Sequence, residues 1–136
     1  MNELNEIQDV NLELEEVALT AEISKEIEST VEKIKSENPK IKVVYPILVM
    51  GEDYDEKPYY IAYFKQPNLP TFSKYMSLMQ KDITVATKTL ANDCFISGDR
   101  VLIDDDSLFM FGLMAQLPAI IKSRSAKLVN LSKPGK

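Results

Sequence analysis

The sequence predicts an α+β fold: an N-terminal helix, an antiparallel β-hairpin at about 41–50 and 59–65, and a C-terminal bundle of three to four helices packed on it. Three observations predict it. Ile23, Ile27, Val31 and Ile34 fall at i, i+4, i+8 and i+11, one apolar stripe of helical period. Two β-branched and aromatic runs, IKVVYPILVM and YYIAYFK, flank an acidic stretch that opens on a glycine. After Pro67 the apolar residues return to helical spacing.

Residues 1–19 are acidic and poorly periodic, and read as a flexible lead-in to one domain over 20–121. Thr20 is placed to cap the first helix, with Glu22 in its first turn, where a carboxylate meets the positive end of the dipole. Asn38-Pro39 ends it, because the residue before a proline is pushed out of the helical region. The strand from Ile41 to Met50 carries Pro46, which removes a ladder donor and assigns the strand to a sheet edge or a bulge. Gly51 to Pro58 is a turn by composition. In the second strand Tyr59, Ile61 and Tyr63 share one face and Tyr60, Ala62 and Phe64 the other. A lone hairpin is marginal in water, so helices must cover a face or further strands must extend it.

Past the second strand, Asn68 and Pro70 form a helix start, and Phe72, Tyr75, Met76 and Met79 share its face. Asp82 caps a second helix with Ile83, Ala86, Leu90 and Cys94 on one side. Ser97-Gly98-Asp99 breaks it, and Val101 to Ile103 reads as a short apolar link. Asp104 to Asp106 opens a third helix whose buried face is expected at Leu108, Phe111, Leu113, Met114 and Leu117. Pro118 should kink or end it near Met114, with Ile120 and Ile121 in a further turn. Residues 122–136 are basic, rich in Ser, Lys and Pro, and expected to be partly disordered. Phe64 and Phe72, on either side of Pro67 and Pro70, are expected to meet in the core.

Net charge is −5, distributed unevenly: −8 over residues 1–38, −2 over 39–106 and +5 over 107–136. An acidic head and a basic tail can attract each other between copies. No apolar run approaches bilayer length, and the acidic N-terminus lacks the basic flank of a signal peptide, so a cytoplasmic protein is expected. One cysteine, Cys94, rules out an intramolecular disulfide.

The sequence offers little for chemistry. Histidine is absent, which removes the commonest general base and metal ligand near neutral pH. Cys94 lies on an apolar helical stripe and reads as an inert core thiol. Glu52, Asp53, Asp55 and Glu56 lack the alternation and central glycine of a calcium loop. Asp104, Asp105 and Asp106 are consecutive and splay around a helix instead of converging. The four glycines are scattered, so there is no phosphate-cradling loop. No enzyme, cofactor or metal is expected. The basic tail has no aromatic residue after Phe111 to stack on bases, so nucleic-acid binding is weakly supported. Methionines cluster in the helical half (Met76, Met79, Met110 and Met114), and their adaptable side chains suit a surface for helical partners.

The run Ala62 to Pro67, followed by a helix, then by Asp82 and a second helix ending at Asn92-Asp93-Cys94, resembles small phage tail assembly chaperones. Gly98-Asp99, Asp104 to Asp106, the helix from Leu108 and the basic segment Lys122 to Leu131 extend the resemblance over about 59–131. It implies a non-enzymatic protein of the host-cell cytoplasm. Such a protein coats a helical tape-measure protein, recruits tail-tube subunits and self-associates. Its partner surface would draw on Phe64, Phe72, Met76, Met79, Phe111 and Met114, each contributing to core or groove. The alternatives are a virion structural or adaptor protein and a small nucleic-acid-binding regulator acting through the basic tail. No membrane partner is expected.

Overall fold

The computed structural model describes residues 21–131. The acidic lead-in and the Thr20 cap therefore lie outside the described residues. Helix α1 spans 21–37. A three-stranded antiparallel sheet follows in the order β1-β2-β3, from Val44–Met50, Tyr59–Lys65 and Phe95–Gly98. Between β2 and β3 come α2 (Leu69–Met79) and α3 (Ile83–Cys94). After β3 come the short α4 (Val101–Asp104) and α5 (Asp106–Leu108). The chain then runs through a π-helical turn (Phe109–Leu113), α6 (Met114–Gln116) and a 3₁₀ turn (Leu117–Ile120). The α+β class and the hairpin on C-terminal helices are as the sequence predicts.

The sheet has two covered faces. On one, Ile23 and Ile34 of α1 are buried with Val44, Ile61 and Tyr63, while Ile27 and Val31 pack partly buried alongside. On the other, Ile47, Tyr60, Ala62 and Phe64 meet Tyr75, Leu90, Cys94, Leu102, Phe109 and Leu113 from the helices. The odd-even split of β2 thus serves two cores at once. A central strand covered on both sides has no need of polar positions, which is why YYIAYFK reads as a continuous apolar run. β1 is an edge strand, the position that tolerates Pro46. It begins at Val44, so the predicted start at Ile41 is three residues early.

The caps form as the sequence dictates. The Asn68 side chain accepts the Thr71 N–H at 2.9 Å and the Asp82 side chain accepts the Val85 N–H at 3.1 Å. Asp105, the middle of the three consecutive aspartates, accepts the Leu108 N–H at 2.9 Å. α2 and α3 are joined by a Lys74–Asp93 ion pair of 2.7 Å.

Three expectations need correction. The first is β3, which the sequence reading leaves as a helix end and a break. Its four residues are too few to show a period, and they follow Cys94 with no intervening loop. Gly98 closes the strand with φ of 109°, and a β-carbon there would sit 2.4 Å from the Ile61 carbonyl oxygen. Asp99 then locks β3 to β2: its N–H donates to Ile61 O at 2.8 Å, and its Oδ2 accepts the Ile61 N–H at 2.9 Å.

The second is Val101 to Ile103, which forms a helical turn instead of a link, burying Leu102 and Ile103. The third concerns the last helical segment, whose fully buried face is Phe109, Leu113, Leu117 and Ile120. Leu108 and Met114 only flank it, and Phe111 is 84% exposed. Phe111 stands two residues from both Phe109 and Leu113, hence roughly half a turn from the side they bury. Pro118 falls in the 3₁₀ turn that tightens the chain, but helical geometry runs on past Met114 through Gln116, and Ile121 lies just outside the turn, which ends at Ile120.

Candidate functional site

The six residues singled out from the sequence separate into core and surface. Phe64 is fully buried and meets Phe95 edge-on at 6.0 Å between ring centres. Met79 and Met114 are partly buried against the same core. Phe72 does not join that core. It is half-buried in a groove of about 230 Å³ with Pro67, Leu69, Ile121 and Lys122, so the expected meeting of Phe64 and Phe72 is not made. Met76 and Phe111 are exposed.

Two surfaces follow. The first is on α2. Its apolar residues Leu78, Tyr75, Met79, Phe72, Met76 and Leu69 span roughly half the helix circumference at about 100° per residue. The core uses only the side around Tyr75, Leu78 and Met79. Leu69, 76% exposed, and Met76, 48% exposed, stand with Phe72 at i, i+3 and i+7 along the uncovered side.

The second surface joins residues far apart in sequence. A cleft of about 430 Å³ lies between the β1–β2 turn and the π-helical turn. It is lined by Met50, Tyr54 and Phe111 together with Glu52, Asp55 and Asp105. Tyr54, like Phe111, is 84% exposed. The two acidic runs that the sequence presents as separate stretches therefore face one cleft. Among the described residues, the cations nearby are engaged with other acids: Lys57 with Asp99 at 2.7 Å, Lys88 with Asp106 at 3.5 Å and Arg100 with Asp104 at 3.4 Å. Sequence spacing could not reveal this convergence. It depends on Gly112, which packs the π-helical turn against Val49.

A smaller polar hollow lies where α1 crosses β2 and β3, lined by Glu26, Thr30, Tyr59, Tyr63 and Asp99. Tyr59 donates to Glu26 at 2.8 Å, and that hydrogen bond is the main reason its phenol pKa is raised. Among the described residues, the buried Tyr63 hydroxyl has no partner of hydrogen-bonding geometry. Burial raises its pKa, against a smaller opposing influence from Thr30. Cys94 is a fully buried thiol pushed up to about 11 by burial, then by the neighbouring Asp93. Among the described residues, no group of three or more Cys, Asp or Glu side chains is arranged to hold a metal ion. No described helix is long and apolar enough to cross a membrane.

No known family model matches the chain, and no curated protein does. Among solved structures, it is similar to an uncharacterised protein from Bacillus stearothermophilus, with a TM-score of 0.46 and 17% identity over 74% of this chain and 99% of that one.

Proposed function

We propose that this protein is a non-enzymatic assembly protein of the phage tail chaperone kind, which holds an amphipathic helix of a long tape-measure-like partner on α2. The observation that carries this reading is the stripe of exposed Leu69 and Met76 with half-buried Phe72 between them. A helix whose apolar arc is wider than its own core has a side left for another helix. The spacing i, i+3, i+7 is that of an anchor row for helix-on-helix recognition. The thioether of Met76 adapts to varied side chains, as a chaperone for a long and irregular helix requires. The neighbouring groove at Phe72, Pro67 and Ile121 gives such a helix a deeper seat at one end. Tail-tube subunits would be recruited by the complex, in the cytoplasm of the host cell.

The test is co-expression with an amphipathic helical segment that is insoluble alone. The wild-type chain keeps the segment in the soluble fraction. The Leu69→Asp/Met76→Asp variant, altered only at exposed positions, fails to do so. Equal rescue by both proteins, or by neither, contradicts the reading.

A further inference from the structure

We infer that the acidic, aromatic cleft between the β1–β2 turn and the π-helical turn receives the basic C-terminal segment, residues 122–131, of a second copy of this chain. The inference is independent of the helical partner on α2 and concerns a different face.

Charge complementarity is the first support. The cleft is lined by Glu52, Asp55 and Asp105, with Asp53 and Glu56 on the same turn. Segment 122–131 carries Lys122, Arg124 and Lys127 and no acid. A lining of aromatic and acidic side chains suits a segment that mixes cations with apolar side chains.

The apolar side chains of the segment are the second support. Leu128 is 93% exposed, Leu131 89% and Val129 66%, so these three side chains are not packed against the described domain. It has no regular secondary structure. The opposing groups Tyr54 and Phe111 are likewise uncovered, and Met50 is about half exposed. Among the described residues neither set of apolar side chains is covered, and the charges beside the two sets are opposite.

Geometry selects the second copy over the chain's own tail. The segment departs from Ile121 to Ser123, beside Gln66 and Pro67, just past the end of β2. The cleft lies at the opposite end of the sheet, beside Met50. β1 and β2 are seven residues each, so the two ends are about 20 Å apart at roughly 3.3 Å per residue. Crossing that distance consumes about six residues after Ser123, which uses up Leu128 and Val129 before the cleft is reached. A neighbouring copy can offer the same segment without that crossing. The contact is heterologous, head to tail, so it joins successive copies into a ring or an open row.

The test uses two full-length variants altered only at exposed positions. A cleft variant carries Glu52→Lys and Phe111→Ser; a tail variant carries Arg124→Glu, Lys127→Glu and Leu128→Ser. Sedimentation velocity at low salt should show the wild-type mass rising with concentration, and the rise should shrink at high salt, where exposed charges are screened. Each variant alone should stay monomeric. Mixed one to one, they should form a heterodimer, because each keeps the half of the contact that the other has lost. A wild-type chain that is monomeric throughout overturns the inference, as does association that persists in either variant. A mixture that remains monomeric also overturns it. None of these results bears on capture of a helix by α2, which is read by the co-expression assay.

Discussion

Gly112 lies directly against Val49: a β-carbon at Gly112 would stand 2.7 Å from Val49 Cγ1. This contact sets the π-helical turn on β1 and leaves Phe111 facing outward beside Met50. Val49 is β-branched and stiff, so it cannot swing aside. Gly112→Ala should therefore destabilise the fold by about 1–3 kcal/mol, the usual cost of overpacking. Chemical denaturation measures it. In Gly112→Ala/Val49→Ala the crowding is removed, so the Gly112→Ala cost should shrink when measured in the Val49→Ala background.

Phe64 and Phe111 make opposite predictions although the sequence offers both as partner residues. Phe64→Ala should cost about 3–5 kcal/mol, since the side chain is fully buried against Phe95. Phe111→Ser should change stability by no more than about 0.5 kcal/mol, as for other exposed positions. Urea unfolding of the two variants separates core from surface.

That contrast shows what the sequence could and could not reveal. The α1 stripe and the caps at Asn68 and Asp82 were legible because each depends on residues a few positions apart, and the hairpin because its two apolar runs are joined by one short turn. Phe111 was misassigned because Phe109, Leu113 and Leu117 offer a competing inward stripe at i, i+4 and i+8, and only packing on the sheet decides between them. β3 was invisible because its four residues gain strand character from pairing with β2, a partner more than thirty residues away in sequence (Phe64 with Phe95, Ala62 with Gly98). The acidic cleft was hidden for the same reason, its two acidic sides coming from the β1–β2 turn and the start of α5. The α2 stripe was only half legible. Spacing gave the apolar arc of Phe72, Tyr75, Met76 and Met79, but which part the core would leave bare depended on where α3 and the sheet lie.

Asp99 fastens β3 through the Ile61 amide and also takes the Lys57 ammonium at 2.7 Å. Asp99→Ala leaves a strand N–H without its acceptor and should cost about 1–3 kcal/mol. Lys57→Ala removes an exposed ion pair and a cation–π contact with the Tyr60 ring at 5.5 Å, and should cost about 1 kcal/mol or less. Hydrogen exchange should show the Ile61 amide losing protection in the first variant and keeping it in the second.

Cys94 should be inert in the native protein. With its pKa raised to about 11 by burial, it should react with a thiol-specific reagent at neutral pH only when the domain unfolds. The sign of the linked stability follows from the raised value. The folded state holds the proton more tightly than the unfolded chain, so this contribution is complete below about pH 9 and is lost as pH rises towards 11. Thermal melts over that range should show a decline that is shallower in Cys94→Ala than in the wild type.

The role of α2 as a helix-binding face is tested most directly by fluorescence anisotropy, titrating the protein into a labelled amphipathic helical peptide. The wild-type chain should bind, Leu69→Asp/Met76→Asp should lose at least about tenfold in affinity, and Glu52→Lys/Phe111→Ser should bind as the wild type does. Binding that survives the α2 substitutions, or that disappears on altering the cleft instead, would contradict a helix-holding role for the Leu69, Phe72 and Met76 stripe.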